Sequence, residues 1–310
     1  MKIIITGATG FLGRTILFSF KSQEVITVGR QKSNICCDLS SQIPKIPLAS
    51  LIVHVAGKAH SVPKTEKEKQ HFFDVNVTGT QNLLKGLEQS PSLPKSFVFI
   101  SSVSVYGLDK GENIKESDPL NAKDAYGLSK IQAEKIIQNW CDKNKVICTV
   151  LRLPLLVGDN PPGNLGAMIK AINKGYYFNI AGGQARKSMV LAMDVAEFIL
   201  PASEIGGVYN LTDGYHPSFK ELSDSIADKL QKNSSLNVPS WLANLMARVG
   251  DMLGEKSPFN SYKLSKISSS LTFDDTKARE ALGWHPKKVL EYFAAGGNNL
   301  NPTKNKTNPR

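Results

Sequence analysis

Tyr126 and Lys130 carry a phenol and an ammonium group four residues apart, a spacing suited to proton transfer. Residues four apart lie on one face of a helix, so both side chains can reach the same substrate atom. A free tyrosine has a pKa of about 10 and is a poor base at neutral pH, but a nearby lysine favours the phenolate. The pair therefore predicts acid–base chemistry, although the same spacing also occurs on solvated helix faces.

Three serines lie near the end of a short apolar run, in the segment Ile100-Ser101-Ser102-Val103-Ser104-Val105-Tyr106-Gly107. The run that ends at Ile100 is typical of a buried strand. Ligands of α/β proteins bind beyond the carboxyl ends of parallel strands, so these hydroxyl groups reach the edge where a substrate would lie. A serine in this position can hydrogen-bond the reacting oxygen.

A glycine-spaced turn, TGATGFLG, follows the first apolar run of the chain. Glycines let the backbone bend tightly and approach an anion, and free N–H groups at a helix N-terminus attract phosphate. The usual dinucleotide fingerprint has its second glycine where this chain has Ala8, so a tight turn without a ligand is the alternative. Its place after the first strand favours a pyrophosphate site formed by Gly7, Thr9, Gly10, Phe11, Leu12 and Gly13.

The end of the second apolar run bears on the choice of cofactor. A carboxylate at this position binds the adenosine ribose of NAD, but this chain has Val28-Gly29-Arg30 instead. The guanidinium of Arg30 suits a 2′-phosphate, so NADP is favoured over NAD, and a merely solvated Arg30 is the alternative. Asp38 and Leu39 follow the next short strand and are predicted to flank the adenine.

Five short apolar runs predict buried parallel strands: Lys2 to Thr6, Val25 to Val28, Leu51 to Val55, Phe97 to Ile100 and Val146 to Leu151. Helical patterns lie between most of them. This alternation predicts an α/β fold, a Rossmann-type doubly wound parallel sheet with a smaller, interleaved C-terminal substrate lobe. We expect a dinucleotide-binding domain in residues 1–160, with segments near 187–212 packing back on it. Residues 161–297 are expected to form mainly the substrate lobe, and residues 298–310 a polar, disordered tail.

Together these motifs resemble the extended short-chain dehydrogenase/reductase superfamily, in particular its NAD-dependent epimerase/dehydratase branch, which acts on nucleotide sugars. The resemblance covers nearly the whole chain. It is carried in order by TGATGFLG, VHVAG (53–57), NVTGT (76–80), SSVSVYG, YGLSK, LRLP (151–154) and KAREALGW (277–284).

The resemblance implies a role for each residue of the catalytic set. Tyr126 would be the acid/base, and Lys130 its electrostatic partner and a ligand of the cofactor ribose. Ser102, rather than Ser101 or Ser104, would be the hydroxyl that orients the substrate.

Further cofactor contacts are implied at Val55, Ala56, Gly57, Lys58, Asn76 and Leu153. A local backbone hydrogen bond is the alternative role for Asn76. Substrate contacts are implied at His60, Ser102, Ser104, Asn164, Leu165, Arg186 and Lys187. Arg186 and Lys187 are alternative candidates to hold the nucleotide diphosphate of the substrate, and each could instead be solvated.

Departures from the family pattern narrow the reaction. Dehydratases of this branch carry an Asp-Glu pair where this chain has Val103 and Ser104, so 4,6-dehydration is disfavoured. Leu155 stands where many UDP-galactose epimerases have asparagine. A UDP-hexose (or UDP-N-acetylhexosamine) 4-epimerase and a 4-keto-sugar reductase of surface-polysaccharide biosynthesis remain. A non-catalytic NADP-binding regulatory protein of the same fold is the alternative.

Composition and charge limit the partners. The net charge of +11 favours anionic partners, but no long basic run with interleaved aromatics indicates nucleic-acid binding, and a phosphorylated small molecule fits as well. The four cysteines lack metal-ligand spacing, so we expect reduced thiols and no metal. No apolar stretch is long enough to span a bilayer and no signal peptide is evident, which predicts a cytoplasmic location without membrane insertion. By resemblance, we expect a homodimer.

The segment VPSWLANLMARVGDMLG (238–254) is predicted to form an amphipathic helix. Its apolar face would contain Trp241, Leu242, Leu245, Met246, Val249 and Leu253. Docking of this face on the chain's own domain or on a partner subunit is favoured over membrane contact, because the polar face carries few basic residues.

Overall fold

A computed structural model describes residues 1–59, 62–252 and 260–294 of the protein. Its strands are β1 (Lys2–Thr6), β2 (Glu24–Gly29), β3 (Ile35–Cys36), β4 (Leu51–His54), β5 (Ser96–Ser102), β6 (Gly111–Ile114), β7 (Ile147–Leu153), β8 (Leu155–Val157), β9 (Phe178–Ile180), β10 (Met189–Leu191), β11 (Gly207–Asn210), β12 (Leu236–Val238) and β13 (Leu271–Phe273).

The helices are α1 (Phe11–Ser19), α2 (Glu66–Phe73), α3 (Gly79–Glu88), α4 (Ala125–Asn144), α5 (Gly163–Asn173), α6 (Ala192–Ser203), α7 (Phe219–Lys229), α8 (Ser240–Met252), α9 (Ser261–Ser268), α10 (Thr276–Leu282) and α11 (Val289–Ala294). A π-helical turn (Asp74–Thr78) joins α2 to α3, and a 3₁₀ turn (Val103–Tyr106) follows β5. Within the described ranges, none of the helices has the length and apolar content needed to cross a membrane.

Seven parallel strands form the central sheet in the order β11-β7-β5-β4-β1-β2-β3. Most of these strands are continuously apolar because helices cover both faces of the sheet. The strand order changes direction between β1 and β4, and ligands of such sheets bind at this point, beyond the carboxyl ends of the strands. The predicted Rossmann-type sheet is confirmed.

The two faces of the sheet have separate apolar cores. On one face, α1 and α6 contribute Leu12, Ile16, Val195 and Ile199. On the other, α3 and α4 contribute leucines and Ile137. The sheet is thus held between two helical layers, which fixes the carboxyl ends of its strands relative to α4.

Segments from late in the chain complete the first lobe. β10 pairs with β8, α6 packs against the sheet, and β11 extends the sheet beside β7. Trp284, just after α10, is buried in the same core as α1 and donates its indole N–H to the carbonyl of Thr212 over 2.9 Å. The second lobe has its own core, built around α5, α7 and α11.

We expected the large apolar face of α8 to dock on the chain's own domain or on a partner subunit. It does not dock on the described residues of its own domain. Ala243, Ala247 and Gly250 face the protein, whereas Trp241 and Leu245 are 68% and 54% exposed. The small side chains allow close packing of α8 on Leu264 of α9, and this turns the bulky stripe towards solvent. Leu253 and the tail of residues 298–310 lie outside the described residues.

Candidate active site

Ser102 is the last residue of β5 and caps the 3₁₀ turn that follows it. Its hydroxyl accepts a hydrogen bond from the Ser104 backbone N–H at 3.2 Å and lies 3.2 Å from the Ser104 hydroxyl. Successive residues of a strand point to opposite faces, so Ser101 is directed away and its hydroxyl donates to Glu134 instead. The structure therefore separates Ser102 and Ser104 from Ser101.

Tyr126 lies in the first turn of α4, and its ring is partly buried. Asp124 caps the helix by accepting a hydrogen bond from the Gly127 N–H at 3.0 Å. Desolvation raises the pKa of Tyr126 above its usual value, a hydrogen bond with the Ser102 side chain opposes this rise, and the Asp124 charge adds to it. The phenol and the Ser102 hydroxyl thus meet at the carboxyl edge of the sheet.

Lys130 is buried one turn further along α4, with 5% of its surface exposed. Its ammonium donates to the Ile100 carbonyl at 2.7 Å and lies 4.3 Å from the centre of the Phe99 ring. Burial lowers the pKa of Lys130 to about 8, while the Glu134 charge acts in the opposite direction. Of the neighbouring side chains, Ser102 lowers the pKa of Tyr126.

Glu134 and Arg152 form a buried ion pair beneath the catalytic turn, with the guanidinium Nη2 2.8 Å from the carboxylate. Arg152 also donates to the Tyr106 hydroxyl at 3.0 Å, and that hydroxyl donates to Asn210 at 2.8 Å. The network joins α4 to β7 and β11. Sequence reasoning missed these residues, although the four-residue spacing of Lys130 and Glu134 places both on one helix face.

Asn76 lies in the π-helical turn and is buried. Its side chain accepts from the Lys58 N–H at 2.7 Å, donates to the Lys58 carbonyl at 3.1 Å, and donates to Ser129 at 2.8 Å. These partners lie on other elements, which argues against the local backbone role. A Cβ at Gly57 would approach Asn76 Oδ1 within 3.1 Å and Lys130 Nζ within 3.5 Å, so Gly57 keeps the loop after β4 close to both side chains.

His54, the last residue of β4, contacts the end of β1 and the start of α3. The sequence did not predict this role. Its ring nitrogens lie 2.6 Å from the Thr6 hydroxyl and 3.0 Å from the Thr80 hydroxyl, and Thr6 in turn accepts from the Ala56 N–H at 3.1 Å. Burial, followed by the Lys130 charge, lowers the pKa of His54 to about 3. The ring therefore stays neutral at physiological pH and ties β1 to β4.

The glycine turn after β1 fits a pyrophosphate. Gly7 has a φ of +71°, and a Cβ there would lie 2.6 Å from the Ala56 nitrogen. A Cβ at Gly13 would lie 2.2 Å from the Gly7 carbonyl oxygen. Gly10 is the N-cap of α1 and supplies no capping side chain, so the N–H groups of the first helical turn face outward for an anion.

The other residues predicted to contact the cofactor form two groups: some have side chains buried in the core, and others lie in loops at the carboxyl edge of the sheet. Leu12 and Leu153 are buried in the first core, and Phe11 packs on it and would touch a Cβ at Gly158. The Leu12 side chain faces the core, so Leu12 would contact a ligand through its backbone, as predicted for the whole turn. Thr9, Val55, Ala56 and Lys58 lie in the loops after β1 and β4, at the carboxyl edge.

Arg30 is exposed immediately after β2, at the predicted ribose end of the site. The Ser40 side chain, and less strongly the Arg30 charge, lowers the pKa of Asp38. Asp38 accepts from the Ser40 hydroxyl at 2.7 Å, and Leu39 is buried and accepts from Asn82 through its carbonyl at 2.8 Å. Leu39 can therefore form an apolar wall, whereas Asp38 is engaged in its own turn.

Arg186 and Lys187 point in opposite directions. The Arg186 guanidinium donates to the His216 carbonyl at 2.9 Å and lies 3.5 Å from Glu221. Lys187 is directed towards α9, where its ammonium donates to the Lys266 carbonyl at 3.4 Å. Desolvation and the Lys266 charge lower the pKa of Lys187. The two cations, Lys187 and Lys266, thus lie close together near Asp109.

The remaining predicted substrate residues are not brought together with Tyr126 by any described contact. The Leu165 side chain is buried in the core of the second lobe. Asn164 is exposed at the start of α5. His60 lies outside the described residues. In the part of the chain that the structure describes, no cluster of three or more His, Cys, Asp or Glu side chains suits a metal ion.

A cavity of about 690 Å³ opens beyond β11, between the two lobes. Its lining includes Lys115, Asp213, Tyr215, Asp275 and Arg279, and neither Ser102 nor Tyr126 belongs to it. Several of these groups are already paired, since Arg279 binds Asp275 at 2.8 Å. The predicted catalytic residues therefore lie outside this cavity.

Comparisons with known proteins agree with this geometry. The family model described as "NAD dependent epimerase/dehydratase family" matches residues 3–211. The N-acetyl-alpha-D-glucosaminyl-diphospho-ditrans,octacis-undecaprenol 4-epimerase of Escherichia coli O157:H7 is 27% identical over 90% of this chain and 89% of its own. The UDP-glucose 4-epimerase of Vibrio cholerae is 27% identical over 94% and 92%. The solved UDP-N-acetylglucosamine 4-epimerase of Bacillus cereus, at 22% identity, shares the fold with a TM-score of 0.72 over 96% of this chain and 99% of its own.

Proposed function

The chain belongs to the NAD dependent epimerase/dehydratase family of extended short-chain dehydrogenase/reductases, and from that premise we propose that it acts at C4 of a sugar diphosphate ester. The observation that carries this proposal is the placement of Tyr126, in the first turn of α4, near Ser102, the last residue of β5, close enough for Ser102 to lower the pKa of the phenol. A UDP-hexose or UDP-N-acetylhexosamine is the proposed substrate class.

Separate residues of the site would bind the cofactor, transfer the proton and orient the substrate. The backbone of the glycine turn would hold the pyrophosphate of the cofactor, and Asn76 and Gly57 would shape the nicotinamide side. A bound nicotinamide supplies the removal or delivery of hydride at sugar C4. Tyr126 Oη takes or returns the proton of the C4 hydroxyl, and Ser102 Oγ orients that oxygen. The ammonium of Lys130 keeps positive charge behind the phenol and so favours its ionised form.

Two members of the reaction class remain, and dehydration is not among them. The turn after Ser102 continues with Val103 and Ser104, so it offers no carboxylate to remove a C5 proton or to protonate a leaving C6 hydroxyl. A 4-epimerase returns hydride to the other face of a 4-keto sugar. A 4-ketoreductase uses the same tyrosine to protonate an incoming ketone. A non-catalytic NADP-binding regulator is the second class of function.

One paired assay separates these functions. The purified protein is incubated with UDP-hexoses and UDP-N-acetylhexosamines, and separately with 4-keto nucleotide sugars and NADPH. Exchange of C4 isomers without net change in nicotinamide absorbance identifies an epimerase, and stoichiometric loss of NADPH identifies a reductase. Cofactor binding without turnover of any substrate in either arm would favour the regulator and contradict the catalytic proposal.

We propose that NADPH binds more tightly than NADH, because Arg30 is exposed at the ribose end and Gly29 leaves no carboxylate there. The expected effect of Arg30→Ala is a loss of about tenfold in NADPH affinity with little change for NADH, which corresponds to one charge-assisted contact. Fluorescence titration of both nucleotides measures it. Lys32→Ala, at an exposed position of the same loop, serves as the control, and an unchanged preference in Arg30→Ala would remove the argument.

One observation favours a lipid diphosphate, instead of UDP, as the group to which the sugar is attached: the solvent-facing apolar stripe of α8. A polyprenyl diphosphate would present the same sugar and the same two phosphates as a UDP-sugar, and the Escherichia coli relative is named for such a substrate. The assay above therefore includes a short-chain polyprenyl diphosphate N-acetylhexosamine as one of its substrates.

A further inference from the structure

Helix α8 presents three different faces around its axis. At about 100° per residue, Ala243, Ala247 and Gly250 cluster on one side, and this side packs on the protein. The opposite side carries five large apolar side chains: Trp241, Leu245, Met246, Val249 and Met252. A narrow polar strip with Asn244, Arg248 and Asp251 lies between them. The helix is therefore anchored by its small residues and displays its bulky ones.

The exposed apolar side of α8 is extensive. Met246, Val249 and Met252 are 51%, 50% and 88% exposed, in addition to Trp241 and Leu245. The strand pair before α8 adds two exposed apolar side chains, Phe178 and Leu236, which are paired in register across β9 and β12. Contiguous apolar surface of this kind on a soluble domain marks a binding surface.

Charge around the stripe selects the partner. The described residues 231–252 and 260–268 carry four basic side chains and one acidic one, namely Lys232, Arg248, Lys263 and Lys266 against Asp251. Lys266 is paired with Asp109. The polar strip of α8 itself carries only Arg248 and Asp251 as charged residues, as the sequence indicated, so the basic excess lies in the segments that flank the helix. An excess of basic charge repels a second copy of this surface, and it attracts anionic lipid headgroups.

We propose that the stripe of α8 docks on the surface of an anionic lipid bilayer, with the helix lying in the plane of the interface. Trp, Leu, Val and Met on one side and an arginine at the rim suit the boundary between headgroups and acyl chains. The docked helix does not cross the membrane. The docking stands apart from the proposed function, since it does not depend on which sugar is processed.

The side of α8 opposite the stripe contacts the rest of the protein. It packs on Leu264 of α9, and Lys266 of α9 pairs with Asp109 and accepts from Lys187 through its carbonyl. The stripe therefore faces away from the protein and is free to meet a surface.

Trp241 provides a built-in probe. The chain has three tryptophans, and Trp140 and Trp284 are buried at 8% and 2% exposure. Vesicles of phosphatidylcholine with phosphatidylglycerol are expected to shift the emission of the full-length protein to the blue and to shield it from acrylamide. Vesicles of phosphatidylcholine alone are expected to give a smaller effect. Trp241→Phe should lose the spectral change and still sediment with the vesicles.

The double variant Leu245→Ser/Val249→Ser tests the stripe directly. We expect its partition onto the anionic vesicles to fall at least about tenfold, because two partly exposed aliphatic side chains no longer enter the interface. Phe18→Ser/Ile205→Ser removes two comparably exposed apolar side chains on the first lobe and serves as the matched control. Circular dichroism confirms that both variants fold.

Three outcomes would overturn the proposal. Binding that is abolished by moderate salt and unaffected by Leu245→Ser/Val249→Ser would assign it to net charge alone. A concentration-dependent blue shift without lipid, together with a dimer that the same variant dissociates in analytical ultracentrifugation, would assign the stripe to a second copy. No vesicle binding by the wild type would also sink it. Turnover of a soluble UDP-sugar is measured in parallel, so failure of docking and failure of the catalytic proposal remain distinguishable.

Discussion

Tyr126→Phe lowers kcat by about a hundredfold to ten-thousandfold, the range that a positioned proton-transfer group contributes. The substitution removes only the phenolic oxygen and keeps the ring beside Phe72. The proton of the C4 hydroxyl then has no acceptor at the position that Ser102 marks. Turnover is measured on the best substrate from the paired assay. Cofactor affinity should change little, because the pyrophosphate turn and Asn76 are untouched.

Tyr176→Phe is the control for this variant, since Tyr176 is 57% exposed in the second lobe. Near-wild-type turnover in Tyr126→Phe would contradict the assigned role. The pH profile supplies an independent measurement. Burial raises the pKa of Tyr126 and lowers that of Lys130 to about 8. Activity should therefore rise with pH as the phenolate fraction grows and level off near pH 8, where the Lys130 ammonium begins to lose its proton.

Breaking the buried ion pair has the second large effect. Glu134→Gln is expected to lower the free energy of unfolding by about 3–5 kcal/mol, because it leaves the Arg152 guanidinium buried without its counter-charge. Urea unfolding measures the change. The double variant Glu134→Leu/Arg152→Met should be less destabilised than either single change, since no unpaired charge remains.

Glu134→Gln also tests the electrostatic link between the ion pair and Lys130. The Glu134 carboxylate opposes the effect of burial on Lys130, so its loss should lower the pKa of Lys130 further and move the pH at which activity levels off to a lower value. Glu88→Gln is the comparison, because Glu88 accepts from Trp140 elsewhere on the first lobe. Additive single and double effects, with no coupling, would contradict the ion-pair argument.

The sheet was predictable because its signal is local. Runs such as Ile3-Ile4-Ile5 and Phe97 to Ile100 are apolar without alternation, as strands covered on both faces must be. The glycine turn and the spacing of Tyr126 and Lys130 are local as well. The sequence pattern did not show that the side chains of Leu12 and Leu165, two residues of the predicted site, lie in the core.

The supporting network was not predictable, since its partners are far apart in the chain. Asn76 meets Ser129, His54 meets Thr6 and Thr80, and no periodicity encodes such pairs. Helix α8 shows a different limit. Its hydrophobic pattern indicated a buried face, but packing was decided by the small residues on the other side, and pattern alone does not rank small against large.

The burial of Trp284 beside α1 has a consequence for biosynthesis. During translation, residues 1–160 emerge from the ribosome long before the segments that cover their sheet. β11 and α10 appear only after about two-thirds and nine-tenths of the chain have been made. The nascent N-terminal half therefore exposes apolar surface of the α1 core until Ala278, Leu282 and Trp284 have been made.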